Sequence, residues 1–350
     1  MSVFLASIGM PEIVAGIMVL ALNAYVLMGG ADFGGGVWDL LASGPRRDAQ
    51  RALIADSIAP IWEANHVWLI VVVVVLFTAF PSAYAIIGTV LHIPVSLLLI
   101  GIVLRGSAFV FRSYGSRDAT RREQWGLAFA ISSAVTPVLL GVIVGALVSG
   151  AVGEASSRVG TASFVSVFVA PWAAVFPFAV GVFALALFAY LAAVYLALAA
   201  NDQDVREDFR RRALVMAMVV FVAAAIALVL SFSRAPLVAR GVMGAPWSIL
   251  LHSGTATSAI VAIAALWRRK FGLARVSAAA QVSFILWGWA FAQFPFVIPT
   301  RLSIRDGAAP RVTLELLLLG LSVGAVVLIP SLLYLFRTFG SRRLVRSQNG

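Results

Sequence analysis

Cysteine is absent from this sequence, and histidine is scarce, with three among 350 residues. The lack of cysteine excludes disulfides, thiolate metal sites and cysteine nucleophiles. No two histidines have the i, i+4 spacing of a helical metal site, and we find no phosphate loop, hydrolase triad or nucleotide-binding motif. Charged residues make up only 12% of the chain. The sequence therefore offers few side chains for metal, covalent or nucleotide chemistry.

Apolar residues dominate the chain instead. Hydrophobic residues make up 61% of it, and the mean hydropathy is +1.00. Repeated apolar runs of about 20 residues are typical of transmembrane helices. The sequence predicts an all-α integral membrane protein with about nine transmembrane helices, at residues 11–42, 52–79, 82–112, 121–149, 162–199, 207–230, 246–268, 275–298 and 311–337.

The basic residues are distributed unevenly between the two predicted membrane faces. Twenty of the 26 Lys and Arg residues lie after helices 1, 3, 5 and 7 or in the C-terminal tail. This asymmetry predicts an outside N-terminus and a cytoplasmic C-terminus. It also explains the net charge of +11 without a nucleic-acid partner.

No loop is long enough to form a domain outside the membrane. We therefore expect one polytopic membrane domain over residues 1–350, in which helices 1–4 form a first bundle with a polar hairpin (1–150) and helices 5–9 follow (151–350).

Four acids lie within or beside the first two apolar runs: Asp32, Asp39, Asp56 and Glu63. Asp32 and Asp39 are seven residues apart, as are Asp56 and Glu63, so each pair shares one helix face. Asp32 and Glu63 lie about equally far from the turn between the two helices. The pattern predicts a ladder of four carboxylates that rises from the inner surface to a depth of roughly 15 Å.

Ionisable groups at membrane depth usually mark a pathway or a charged partner. One interpretation is a proton pathway along all four acids, with Glu63 and Asp32 deepest. The other is structural pairing, because Arg105 and Arg112 are also seven residues apart, at the inner end of helix 3. Both interpretations stay open at this point.

Polar and aromatic residues near the acids are candidate supporting residues: Trp62, Asn65, His66, Trp68, Arg105 and Arg112. His66 lies three residues after Glu63 and is a candidate hydrogen-bond partner for it. We expect His66, His92 and His252 to be satisfied or interfacial histidines rather than ligands. No cofactor or metal is therefore predicted on the side chains of this chain.

One segment is highly specific: Ser57-Ile-Ala-Pro-Ile-Trp-Glu-Ala-Asn-His-Val-Trp-Leu-Ile70. Supporting motifs are Ala31-Asp-Phe-Gly-Gly-Gly36, Phe80-Pro81 with Tyr84, Leu104-Arg-Gly106 through Phe111-Arg112, Gln293-Phe-Pro295 and Leu302-Ser-Ile-Arg-Asp-Gly-Ala-Ala-Pro310. Together they resemble subunit II of the cytochrome bd-type quinol oxidases, with the spacing kept from residue 31 to 310. Two positions depart from the family's pattern, since Gly29 and Val110 stand where family members often have acids.

The resemblance implies a similar nine-helix fold and a division of labour between two subunits. Subunit I would hold the haems, of types b and d, and the quinol site. This chain would bind no haem through its own side chains and would form a heterodimer with subunit I, in some members with small accessory subunits. A structural quinone or lipid against the chain is compatible with the resemblance. The complex would oxidise quinol and reduce oxygen to water in the bacterial cytoplasmic membrane.

Two further classes of function are weighed against an oxidase subunit that supplies protons. A proton-coupled secondary transporter would also place acids inside the membrane, but the inverted repeat expected of many transporters is not visible. A purely structural membrane subunit would use the acids only to pair with arginines.

Overall fold

The computed structural model describes residues 9–58, 62–112 and 119–346, without the side chains of residues 62–64, 119, 122, 329, 332, 333 and 335–346. Within these ranges, eight helices are long and apolar enough to cross a membrane, and nine spans result if one bent pair of helices counts as a span. This count agrees with the predicted all-helical membrane protein.

The helices and strands are, in chain order, α1 (Met10–Leu40), α2 (Arg47–Ile58), α3 (Trp62–Ala79), α4 (Pro81–Val90), α5 (His92–Val110), α6 (Ala119–Val148), α7 (Ala151–Ser156), α8 (Phe164–Phe168), α9 (Val175–Ala199), α10 (Gln203–Arg234), α11 (Pro236–Gly244), α12 (Ser248–Trp267), α13 (Phe271–Gln293), β1 (Phe296–Ile298), β2 (Leu302–Ser303) and α14 (Arg311–Arg346). The two strands form a small antiparallel hairpin.

The apolar run at 82–112 was predicted as one helix, but the structure divides it at Leu91 into α4 and α5. Pro94 lies in the first turn of α5, where its missing N–H is tolerated. In the interior of one continuous helix, the same proline would remove a hydrogen bond and clash with the preceding turn. The axis of α4 is bent by 115° from that of the preceding helix. Because of this bend, α4 packs across one end of the bundle, where Val90 contacts the cluster that includes Ala146 and Val152.

Two other predicted boundaries were wrong, and a proline explains each. The helix predicted at 162–199 crosses the bundle only from Val175, because Pro171 follows the short α8 and disfavours helical geometry at the residue before it. The helix predicted at 275–298 ends at Gln293, since Pro295 follows and β1 begins at Phe296.

The remaining helices lie close to their predicted runs. The run at 52–79 corresponds to α2 and α3, and residues 59–61 lie outside the described part of the chain. The run at 207–230 is longer in the structure. It begins at Gln203 because the Asp202 carboxylate caps the helix, accepting hydrogen bonds from the N–H groups of Asp204 and Val205 at 2.8 and 2.9 Å.

The central element of the bundle is α9. It packs against α1, α6 and α10, and residues 186–194 along it are all buried. The largest core cluster draws on residues from Tyr25 in α1 to Val282 in α13. The helices before and after residue 150 therefore share one core.

The close contact between α1 and α9 depends on Gly34. A Cβ at this position would overlap the carbonyl oxygen of Phe188 and would lie 2.7 Å from the Cβ of Ala192. In membranes, small residues of this kind let helix backbones approach closely. The glycines after Asp32 thus set the position of this part of α1 against the core.

Candidate functional site

Asp32 of α1 and Arg105 of α5 form a fully buried ion pair. Arg105 Nη1 donates to Asp32 Oδ2 at 2.9 Å, while Nη2 donates to Oδ1 and, at 3.2 Å, to the main-chain oxygen of Asp32. Asp32 is 0% exposed and Arg105 is 2% exposed. This two-pronged geometry is the strongest that a guanidinium and a carboxylate can adopt.

The Arg105 guanidinium lies between two aromatic rings. Its central carbon is 4.6 Å from the Phe33 ring centroid and 5.0 Å from that of Phe129. Its Nε donates to Ser133 Oγ of α6 at 3.0 Å. Ser133 reaches this position because Gly36 lacks a side chain, since a Cβ on Gly36 would overlap it. The cation is therefore fixed by α1, α5 and α6 together.

A second ion pair lies seven residues further along both helices. Arg112 donates to Asp39 Oδ2 at 2.8 Å and to Oδ1 at 3.1 Å, and Asp39 is 1% exposed. Arg51 of α2 adds a third charge, with its Nε 3.7 Å from Asp39 Oδ1. The seven-residue spacing of Asp32 and Asp39 in α1 thus matches that of Arg105 in α5 and Arg112 just beyond its end, as the pairing interpretation required of these two acids.

Asn65 is the described α3 residue that contacts Asp32. Its Nδ2 donates to Asp32 Oδ2 at 3.1 Å, and the residue is 0% exposed. Glu63 lies two residues earlier, in the first turn of α3, but its side chain and that of Trp62 lie outside the described residues. The predicted proximity of Glu63 to Asp32 stays a prediction.

Three other predicted residues lie on α2 and α3. Asp56 is exposed on α2. His66 is half-buried on α3, directly after Asn65. Trp68 packs against the main core cluster. All of them lie on α2 and α3, which together correspond to the second helix of the predicted hairpin.

A small cavity borders the Asp39–Arg112 ion pair. Its volume is about 20 Å³, and its lining includes Asp39, Arg112 and Ala55. A cavity of this size can hold one water molecule, and the charged groups in its wall supply hydrogen-bond partners for it. Ala55 precedes Asp56, so the cavity lies between the buried acid and the exposed one.

The described histidines do not converge on a shared site. His92 is exposed, and its Nδ1 lies 2.9 Å from the carbonyl oxygen of Thr89. The Nδ1 of His252 lies 2.7 Å from the carbonyl oxygen of Ser248. In the described parts of the chain, no group of three or more His, Asp or Glu residues could hold a metal ion.

Sequence reasoning missed a polar cluster that joins the α1–α2 loop to α10. Arg46 donates to both carboxylate oxygens of Asp208, at 2.9 and 2.7 Å, and this hydrogen bonding raises the pKa of the Arg46 guanidinium. Gln50 donates to Asp208 at 2.9 Å and accepts from Arg212 at 2.9 Å. These partners are 158 to 162 residues apart in the chain, so no local pattern indicates them.

The fold and the site define a class of protein: a multi-pass helical membrane subunit whose buried acids are held by arginines of a neighbouring helix. The family model for cytochrome bd terminal oxidase subunit II matches residues 10–339, and the chain belongs to this family. It is thus a subunit of a bd-type quinol oxidase, an oxygen-reducing enzyme of the bacterial respiratory chain. This membership decides against the secondary transporter considered above.

Relatives and a solved structure agree with the assignment. The chain is 25% identical to the putative cytochrome bd menaquinol oxidase subunit II of Bacillus subtilis, over 93% of this chain and 94% of the relative. It is 35% identical to subunit 2 of the Escherichia coli K12 cytochrome bd-I ubiquinol oxidase, over 27% of this chain and 25% of that protein. The fold resembles the bd oxidase structure from Geobacillus thermodenitrificans, with a TM-score of 0.77 and 22% identity over 94% of this chain and 98% of the other.

Proposed function

We propose that this chain is the non-haem subunit that scaffolds a haem-bearing subunit I, and that the inner ends of α1–α3 supply cytoplasmic protons for the reduction of oxygen to water. One observation carries the second half of this proposal. A water-sized cavity borders the Asp39–Arg112 pair inside a mostly apolar bundle. Charged groups and water at membrane depth are typical of proton pathways.

The four acids divide into two roles under this proposal. Asp32 and Asp39 each bind an arginine through both carboxylate oxygens, so they act as fixed charges that hold α1 against α5. Asp56 lies where bulk water reaches α2, and Glu63 begins α3. Asp56 therefore receives protons, and Glu63 passes them on from a position next to the buried pairs.

We propose that subunit I packs against α14. Only 6% of the apolar stretch between Arg311 and Leu328 is buried, and the described contacts of α14 are mainly with α1 and α3. Val312, Leu316 and Val326 on this helix are each at least 65% exposed. A subunit packed here would cover an apolar face directly beside the helix that carries Asn65 and Glu63.

We propose that a lipid or structural quinone binds in a second, open groove between α3 and α5. The groove has a volume of about 490 Å³, and its wall includes His66, Ile102 and Val103. Its mainly apolar lining suits a hydrocarbon or isoprenoid tail, and His66 in its wall can form a hydrogen bond to a polar head group.

The proposed orientation has the N-terminus outside and the C-terminus in the cytoplasm. The basic asymmetry supports it, as do the contacts between basic segments far apart in sequence. Arg46 of the first loop pairs with Asp208, and Arg269 of the α12–α13 loop lies 3.5 Å from Glu207. Loops that share acids of α10 in this way belong to one face of the bundle.

We predict that a reporter fused after Gly350 is active only in the form that reports the cytoplasm. The physical reason is that translocating the arginine-rich loops would oppose the positive-inside preference. A matched fusion within the 150–160 loop should report only the opposite side. A periplasmic signal from the Gly350 fusion would contradict the orientation and the inward opening of the acid ladder.

The scaffold role predicts that haem co-purifies with this chain only when the partner subunit is present. Produced without a partner, the tagged chain should show no stoichiometric Soret band, because His92 and His252 each lie within hydrogen-bond distance of a carbonyl oxygen of their own chain segment rather than facing a shared site. Produced with its native operon, the same tag should recover a haem-bearing subunit. A Soret band from the chain alone that is lost in a His66, His92 or His252 variant would overturn this division of labour.

A further inference from the structure

Three polar atoms near the α1–α3 contact are buried without a hydrogen-bond partner among the described residues: the Tyr25 hydroxyl, Asn65 Oδ1 and Trp68 Nε1. Tyr25 and Asn65 are both 0% exposed. The indole N–H only donates, the amide oxygen only accepts, and the hydroxyl does both. Buried polar atoms in native proteins nearly always have a partner, from protein or from water.

These groups lie on facing sides of the two helices. Tyr25, Gly29 and Asp32 are spaced i, i+4, i+7 and share one face of α1. Asn65 bonds to Asp32, and its amide atoms lie 3.4 Å from where a Cβ of Gly29 would stand. Trp68 follows Asn65 by three residues and so shares its face of α3.

Asn65 ties this group to the buried ion pair, because its Nδ2 donates to Asp32. Val14 and Ala15 of α1 belong to one core cluster with Val75 and Ala79 of α3, so the two helices run antiparallel and Tyr25 lies level with Trp68. Since Tyr25 precedes Asp32 by seven residues along α1, the group borders the side of the pair that is remote from Asp39 and the basic loops.

We propose that Tyr25, Asn65 and Trp68 form a binding site for an internal water molecule beyond the Asp32–Arg105 pair. The water donates to Asn65 Oδ1 and accepts from Trp68 Nε1, while the Tyr25 hydroxyl completes the three bonds typical of a buried water. The neighbouring carboxylate of Asp32 favours a polar occupant over an empty, dry space.

The second part of this proposal gives the water a role in proton transfer, and it rests on the proposed proton supply. A water in this position adds a polar site to the α1–α3 contact, beyond the fixed charges Asp32 and Asp39 and towards the middle of the bilayer. It accepts a proton that Glu63 delivers while one of its own O–H bonds breaks and releases a proton towards oxygen reduction in the partner subunit, so the water itself is unchanged. Tyr25 is then a positioning residue, which holds the relay water without touching a reacting group.

The test compares Tyr25→Phe with wild type in the purified complex. If the hydroxyl binds water, its loss removes a hydrogen bond and lowers the melting temperature, by roughly 1–4 °C. Oxygen uptake per haem falls as well. If the hydroxyl were dry, its removal would relieve an unsatisfied buried group, and the melting temperature would stay the same or rise. That result would overturn the water site.

Tyr190→Phe is the matched control for the rate of oxygen uptake per haem. Tyr190 is also buried with an unpartnered hydroxyl, but it lies on α9, outside the α1–α3 contact that Asp32 and Asn65 make. Its uptake should equal that of wild type. A lower melting temperature with normal uptake in Tyr25→Phe would keep the water site and overturn the relay.

A density map of the wild-type complex decides the site even if Tyr25→Phe fails to assemble. At a resolution that shows other internal waters, an oxygen peak should lie within hydrogen-bond distance of Tyr25 and Asn65. The lack of such a peak would overturn the site. Neither outcome depends on Glu63, so failure of the wider proton-supply proposal is recognised separately.

Discussion

Replacing Arg105 by methionine is expected to abolish stable assembly of the complex. The substitution leaves Asp32 0% exposed without its counter-ion. Removing one partner of a buried ion pair costs about 3–5 kcal/mol, and the total stability of a domain is only about 5–15 kcal/mol. The yield of haem-containing complex and its melting temperature, both measured after purification through this chain, check the prediction.

The double variant Asp32→Leu with Arg105→Met provides the internal comparison. It removes both charges, so neither is left buried alone, and replacement of a buried pair by apolar residues is often tolerated. The double variant should therefore be more stable than Arg105→Met alone. Wild-type yield and melting temperature in Arg105→Met would contradict a structural role for the pair.

Arg112→Met is the matched control at the other ion pair. The Arg112 side chain is 22% exposed, and Arg51 remains 3.7 Å from Asp39 after the change. Water and a second cation can thus compensate for the loss. We expect a smaller drop in stability than for Arg105→Met, although the two arginines occupy equivalent positions seven residues apart.

Periodicity predicted much of this site because it concerns single helices. Equal spacing of seven residues in α1 and α5 places two acids and two arginines on single faces, and the structure pairs them in register. The apolar runs likewise predicted the membrane spans, since length and hydropathy are local properties.

Features that depend on contacts between distant segments were not predictable in this way. Ser133 reaches Arg105 only because Gly36 lets α6 approach α1. Asn65 was expected near the acids, but its bond to Asp32 depends on the relative rotation of α1 and α3. The break at Leu91 is a local effect of Pro94, which the continuous apolar run obscured.

Glu63→Gln is expected to remove most of the oxygen uptake while leaving the haem content normal. The substitution keeps the size and polarity of the side chain but removes its titratable proton. Glu63→Asp should keep partial activity, because it retains a carboxyl group on a shorter side chain. Asp56→Asn should cost less, since Asp56 is exposed on α2 and our proposal puts it at the cytoplasmic entrance, where bulk water can replace an acid.

A purely structural role of Glu63 predicts a different pattern. If its carboxylate only neutralises a nearby arginine, Glu63→Gln leaves a cation unpaired and lowers the amount of assembled complex. Uptake per haem would then stay normal in the molecules that do assemble. Haem content and uptake must therefore be measured in the same preparation.

The most direct test of proton supply through this subunit is oxygen uptake per haem, measured across pH for wild type, Glu63→Gln and Glu63→Asp. We predict normal haem content in all three, a large loss of uptake in Glu63→Gln and an intermediate rate in Glu63→Asp. Normal haem and normal uptake of Glu63→Gln at every pH would contradict the proton pathway and leave the subunit with a scaffold role alone.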